Sequence, residues 1–241
     1  MIKLFRNIRQ NLLNEGKTSK YFKYAIGEII LVVIGILIAL QVNNWNTERS
    51  GRNELNAILK EIHKDLVKDK STLKLLIEEN NRFVDKLQQI REHGTDMQSD
   101  SLMLLISDLH FVTNFLPANF GYNKLNKFSE TRKMKDSLLS SVTNYYASYY
   151  ESINNANFEF LSGYSLNKFR DYLIDFGFPI RIDSDTATSY KLSPFSDMIN
   201  DPKFIGILRN FEYNRNIQGY GFKDALVKVN QNIDLLDAYF N

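Results

Sequence analysis

Apolar residues cluster most densely near the start of the chain, in the run AIGEIILVVIGILIAL at residues 25–40. A helix of about 20 residues here would rise about 30 Å, which is the thickness of the hydrocarbon core of a bilayer. Ten Ile, Leu and Val side chains lie between Ile29 and Leu40, and they favour insertion by about 3 to 6 kcal/mol. Glu28 lies near one end, where a charge costs less than at the centre. The pattern predicts a transmembrane helix at residues 21–45.

Beyond the predicted span, apolar residues recur at helical spacings of three and four positions. Two polar residues, Asp69 and Asn80, interrupt this heptad-like stripe, as is typical of positions that fix register at a cost in stability. Further apolar residues widen the stripe, so a bundle helix and a coiled coil both remain open. We predict a helical stalk at residues 46–93, with the stripe Leu55, Leu59, Ile62, Leu66, Leu73, Leu76, Phe83, Leu87 and Ile90.

The rest of the chain also has helical periodicity, divided by turn residues. Phe178–Ile182 alternates as a short strand would, but an extended loop is the simpler interpretation, and Asp183–Pro194 is predicted to be a mobile loop. The predicted fold class is all-α: a basic amphipathic N-terminal helix, one transmembrane helix, the stalk, and a helical-bundle extracytoplasmic domain at residues 94–241. Helices are expected at about residues 99–115, 119–129, 131–161, 165–176, from Pro202 onward, and 221–240.

Charge is concentrated at the N-terminus, where residues 1–20 form a basic segment with an amphipathic pattern. We expect this segment to lie on the inner leaflet, with an unpacked cytoplasmic tail as the alternative. Five Lys and Arg precede the span closely and three follow it, which places the N-terminus in the cytoplasm and the C-terminal domain in the periplasm or exterior. A cleaved signal peptide is the rival interpretation, although no small-x-small pair ends the apolar run. The net charge of +2 belongs to this segment, so no nucleic-acid partner is expected.

The stretch EGKTSKYFKYAIGEIILVVIGILIALQVNNWN at residues 15–46, with the preceding IKLFRNIRQNLL, is distinctive. It resembles the N-terminal signature of a domain-of-unknown-function family of small single-pass membrane proteins from Gram-negative bacteria. Residues 122–146, which include SLLSSVTNYY, resemble that family more loosely. The resemblance implies an inner-membrane protein with an all-helical periplasmic domain, and it implies no activity.

Glu28 is the intramembrane residue with the clearest functional potential, because ionisable groups are costly in a bilayer. It is expected to serve an ion path, to pair with a cation, or to reach the nearby interface. Gly35 and Ala39 form a small-xxx-small pair, with Gly27 two turns earlier, which permits close packing against another helix. These residues predict a homo-oligomer or a membrane-protein partner, in addition to the lipid bilayer.

Tyr145, Tyr146, Tyr149 and Tyr150 form the densest aromatic cluster. Core packing with hydroxyls at its edge is one interpretation, and a surface for a partner or ligand is the other. The three histidines lie on separate predicted elements and the chain has no cysteine. We therefore expect no metal site and no cofactor, and no phosphate-binding loop or hydrolase motif is present.

These observations favour a non-enzymatic, single-pass inner-membrane protein whose periplasmic helical domain binds a partner, assembles, or senses a ligand. The alternative is a subunit of an ion-driven or transport assembly in which Glu28 works inside the membrane. An enzyme with a site near the tyrosine cluster or residues 183–194 is a third hypothesis.

Overall fold

A computed structural model describes five stretches of the chain, residues 18–110, 113–128, 134–147, 162–177 and 195–241. Every regular element in these stretches is helical and no strand occurs in them, so the all-α prediction is confirmed. The chain divides into two compact units with a boundary between Asn56 and Ala57. Three predictions lie outside the described residues: the amphipathic N-terminal helix, the possible strand at 178–182, and the loop at 183–194.

The longest element is α1, Thr18–His93, which passes through Ser50 and Gly51 without a break. In the first unit its apolar residues are uncovered, because every Ile, Leu and Val side chain from Ile29 to Leu40 is 47 to 63% exposed. An 18-residue stretch of α1 has a mean hydropathy of 2.6, so α1 is long and apolar enough to cross a membrane. A helix of this kind near the N-terminus agrees with the predicted span.

In the second unit, α1 presents the predicted apolar stripe to a core. From Leu59 to Ile90 every residue of the predicted stripe is buried, and both polar interruptions, Asp69 and Asn80, are buried with it. The further described elements are α2 Ser99–Ser107, a 3-10 turn at Asp108–His110, α3 Phe120–Leu125, α4 Asp136–Thr143, a π-helical turn at Tyr164–Phe169, α5 Arg170–Asp175, α6 Phe195–Asn200 and α7 Pro202–Phe240.

One end of the core joins aromatic and aliphatic side chains from several of these helices. Phe169 packs edge-on against Phe211 with ring centroids 5.2 Å apart, and Phe83 lies 6.2 Å from the same ring. Such aromatic contacts contribute beyond the apolar area they bury. The cluster also contains Leu87, Ile90, Leu102, Met103, Ile106, Leu109, Tyr172, Leu173, Met198, Phe204, Ile207 and Leu208.

The prediction of two C-terminal helices is wrong, because α7 continues from Pro202 to Phe240. The second of these predicted helices began at Gly221, and glycine disfavours a helix interior by about 1 kcal/mol. Gly219 is instead buried against α1, where an added Cβ would lie 2.6 Å from Asn80 Nδ2. Close packing therefore offsets the low helix propensity at this position.

The ends of other helices show similar local effects. Pro202 occupies the first turn of α7, as predicted, and Asp201 caps it by accepting a 2.8 Å hydrogen bond from the Lys203 N–H. Gly177 has a φ of 78° and follows α5, which suits a residue without a side chain. Helix α3 is shorter than predicted, since it ends at Leu125. Helix α4 begins at Asp136, later than predicted, and continues into a π-helical turn at residues 144–147; residues 148–161 of that predicted helix lie outside the described residues.

Candidate functional site

The apolar part of α1 is the first candidate site, because it is a surface that nothing in the first unit covers. An added Cβ at Gly27 or at Gly35 would meet no atom within 4 Å, and Ala39 is exposed beside them. Glu28 is the one charged residue between Lys23 and Glu48 in the sequence. The arrangement offers a membrane or another helix a continuous apolar face with one acidic group near its start.

A second candidate site is a buried carboxylate on α1, within the second unit. Asp69 is 2% exposed, and its two oxygens accept hydrogen bonds of 2.8 Å from the Ala118 N–H and from the Tyr145 hydroxyl. One turn earlier, Asp65 accepts a 2.7 Å bond from the Gly121 N–H. The two carboxylates therefore hold residues 113–128 against α1 through that segment's backbone. We call Asp65, Asp69, Ala118, Gly121 and Tyr145 the carboxylate centre.

Glycine at position 121 makes this approach possible. A Cβ there would lie 2.5 Å from the Ile62 backbone nitrogen, closer than any side chain tolerates. Because the obstacle is the backbone of α1, it cannot rotate out of the way as a side chain would. The centre therefore depends on two acidic residues one turn apart on α1, Asp65 and Asp69, and on Gly121, which allows the start of α3 to approach them.

Burial dominates the electrostatics of the centre. Loss of solvent raises the pKa of Asp69 from 3.8 to about 6, even though the hydrogen bonds from Ala118 and Tyr145 favour the ionised form. Burial and the nearby carboxylates also raise the pKa of the Tyr146 hydroxyl well above its usual range. Asp69 can therefore take up a proton at mildly acidic pH, whereas Tyr146 stays protonated.

Two of the four predicted tyrosines belong to this region. Tyr145 is buried and donates to Asp69, and Tyr146 stacks on Tyr122 with ring centroids 4.6 Å apart. The Tyr146 hydroxyl is buried with no hydrogen-bond partner. Tyr149 and Tyr150 lie outside the described residues, so a role of the whole cluster as a partner or ligand surface stays a prediction.

From the sequence, Asp69 was predicted only to interrupt an apolar stripe, Asp65 was interpreted as part of a solvated surface, and Gly121 was not singled out. The sequence did contain one sign of this buried carboxylate: Asp69 lies at a core position, and no basic residue follows it closely on the same helix face. Of the histidines, His63 contacts Asp237 with 3.0 Å between Nε2 and Oδ1. Among the described residues, no group of three or more His, Asp or Glu side chains is placed to hold a metal ion.

The fold and these sites define the class: an all-helical protein in which one apolar helix of membrane-spanning length continues into a helical unit. Residues 28–166 match the DUF6090 model, a family of unknown function, and since they make up more than half the chain, the protein belongs to that family. No curated protein and no solved structure matches the chain.

The family match agrees with the expected domain of unknown function and extends well beyond the first fifth of the chain. It begins at Glu28, so residues 15–27 of the quoted signature lie outside it. The carboxylate centre falls wholly inside the matched region, whereas α7 falls outside it.

Proposed function

We propose that this protein is a single-pass inner-membrane protein whose N-terminus is cytoplasmic and whose second unit, residues 57–241, binds a ligand or a partner in the periplasm. The exposure of the apolar stretch of α1 carries this proposal. Soluble proteins rarely leave a contiguous apolar patch of more than a few hundred Å² in water. A bilayer is the environment that covers such a helix on all sides.

The charge pattern supports the orientation. Within about twenty residues of the apolar stretch, five Lys and Arg precede it and three follow it, and cytoplasmic flanks carry the excess of positive charge. The proposed role of the second unit is binding rather than catalysis, since the carboxylates of its described carboxylate centre are already engaged by the Ala118 and Gly121 N–H groups and by the Tyr145 hydroxyl. Self-association through Gly35 and Ala39 is part of the proposal, because small residues allow close helix packing.

The absence of cysteine from the chain permits a direct test of topology. Single-cysteine variants Asn14→Cys and Ser101→Cys, the latter at an exposed position of α2, are treated with a membrane-impermeant maleimide in cells with a permeabilised outer membrane. We expect labelling at position 101 in intact spheroplasts and at position 14 only after lysis. The reverse pattern would refute the orientation, and extraction of the protein by alkaline carbonate would refute the span.

A second candidate function follows from the single charge in the apolar stretch. If Glu28 serves an ion path in an assembly, Glu28→Gln should abolish proton or sodium flux in proteoliposomes while expression and oligomer mass stay unchanged. Glu48→Gln, beyond the apolar stretch, is the matched control and should leave the flux intact. Equal flux in wild type and Glu28→Gln would eliminate this candidate.

A further inference from the structure

One face of α7 is turned away from the core of the second unit and carries large apolar side chains. Tyr213, Tyr220 and Val227 are 66%, 72% and 51% exposed. They lie seven residues apart, which is close to two helical turns, so they form a single line along α7. The line runs along the side of the helix opposite the buried residues Phe211 and Val229. We call Tyr213, Tyr220 and Val227 the α7 line.

The spacing and the residue types of this line indicate a helix as its partner. Single exposed apolar residues are common on proteins, but apolar residues repeated every seven positions form the contact line between paired helices. Tyrosine is also enriched at protein interfaces, because its ring is apolar and its hydroxyl tolerates water at the edge of a contact. From Tyr213 to Val227 the line is about 21 Å long, which a helix of another chain can follow.

Opposite charges flank the middle of the line. Lys223 and Asp224 are both exposed, and they lie on opposite sides of the line just after Tyr220. When two identical helices pair in parallel about a two-fold axis, the Lys223 side of each helix faces the Asp224 side of the other. Symmetry then gives two pairs of opposite charge. In an antiparallel pair like sides meet, so the lysine side would face a second lysine side. The charges therefore favour a second copy of this chain in parallel.

The other flanking positions are compatible with the same pairing. One turn below, Asn216 would face Ile217 of the second copy, and at the start of α7 Arg209 would face Asn210. No like charges meet at these levels. Asp234 occupies the next position of the spacing and would face its own copy, and like charges at such short range are unfavourable. The contact therefore ends at Val227.

We propose that the α7 line pairs in parallel with the α7 line of a second copy of this chain, with Lys223 of each copy against Asp224 of the other. A line of three residues buries less than the roughly 1,200 Å² of a stable interface, so the contact rests on the membrane anchor of the proposed function. Anchoring both chains in one bilayer raises their effective concentration. In dilute detergent the contact does not hold two chains together once their apolar helices separate.

The test is disulfide cross-linking of the full chain in its native membrane with a mild oxidant. The chain has no cysteine, so a disulfide in Tyr213→Cys, Tyr220→Cys or Val227→Cys joins two copies at the same position. We expect each of the three to give at least about fivefold more cross-linked dimer than Lys228→Cys, the control at an exposed position of α7 away from the line. Equal yields at positions 220 and 228 would overturn the proposal. A mixed cross-link between positions 213 and 227, with self-linking at 220 alone, would show antiparallel pairing and would also overturn it.

Charge variants test the role of the flanking residues, with Tyr213→Cys as the reporter. Lys223→Asp places carboxylates against Asp224 of the other copy, and we expect the cross-linking yield to fall several-fold. Adding Asp224→Lys brings opposite charges together again and should restore the yield. Lys228→Asp makes the same change of charge away from the line and should leave the yield unchanged. Equal losses in Lys223→Asp and Lys228→Asp, or no recovery in the double variant, would overturn the parallel pairing.

The two proposals fail separately. If the maleimide labelling is as expected but position 220 cross-links no better than position 228, the α7 contact is rejected and the membrane orientation is kept. If positions 213, 220 and 227 cross-link as expected but the labelling is reversed, the α7 contact is kept and the orientation is rejected.

Discussion

Replacing Asp69 by asparagine tests the energetics of the carboxylate centre. The folded chain binds a proton at Asp69 with a pKa of about 6, against 3.8 for an ordinary aspartate. Between those values the folded chain holds a proton that the unfolded chain has released, so the free energy of unfolding falls as the pH rises. The raised pKa of Asp69 contributes about 3 kcal/mol to the free energy of unfolding when the carboxyl is fully protonated. About 2 kcal/mol of this contribution is lost between pH 4 and pH 7.

Asparagine keeps the shape of the side chain and one oxygen for the Ala118 N–H, but it carries no ionisable proton. We therefore expect the stability of wild type relative to Asp69→Asn to fall by about 2 kcal/mol from pH 4 to pH 7. The assay is guanidinium unfolding of the full chain in detergent, followed by far-ultraviolet circular dichroism at each pH. The comparison of two chains cancels the other titrating groups.

Tyr145→Phe provides a second measurement on the same centre. Its hydroxyl donates to Asp69 at 2.8 Å and favours the ionised carboxylate, so its removal raises the pKa of Asp69 further. We expect the free energy of unfolding to fall by about 1.5 to 3 kcal/mol at pH 7 and by less at pH 4, where the carboxyl is protonated.

The Asp69→Asn comparison decides the question. If the difference in the free energy of unfolding between wild type and Asp69→Asn is constant with pH, or grows as the pH rises, the reasoning is refuted.

Two further predictions concern glycines. Gly121→Ala should destabilise the chain by at least about 2 kcal/mol in the same unfolding assay, because its Cβ would lie 2.5 Å from the Ile62 nitrogen. The control is Gly206→Ala, whose Cβ would lie in open space. It should be neutral or stabilising by up to about 1 kcal/mol. Gly35→Leu should reduce the mass of the detergent-extracted protein to that of a monomer, whereas Val33→Phe, which adds equal bulk on the opposite face, should not; an unchanged mass in Gly35→Leu would contradict packing through this face.

Periodicity predicted α1 well because its core contacts repeat at helical spacing over many turns. The buried positions from Leu59 to Ile90 could be assigned from their order in the sequence, and Pro202 marked the start of α7 by its geometry. The continuity of α7 could not be predicted. It depends on the packing of Gly219 against Asn80, a contact between residues far apart in the chain.

The polar centres were missed for the same reason. Asp69 finds its partners at Ala118 and Tyr145, and Arg215 finds Phe83 on another helix. The stripe placed Asp69 among core positions without indicating its partners. Arginine is exposed at most positions in proteins, so the burial of Arg215 could not be predicted. The aromatic cluster was visible in the sequence, but the carboxylate that Tyr145 contacts gave no local sign of that pairing.

Within the described part of the second unit, the buried charged residues Asp69 and Arg215 differ in how they respond to pH. Asp69 escapes the cost of burial by taking up a proton below about pH 6, whereas Arg215, with a pKa near 10, keeps its charge across that range. The desolvation of Arg215 must therefore be offset at every physiological pH by contacts such as the Phe83 ring and Gln218. It follows that a change with pH in the stability difference between wild type and Asp69→Asn reports on the carboxylate centre and not on the arginine.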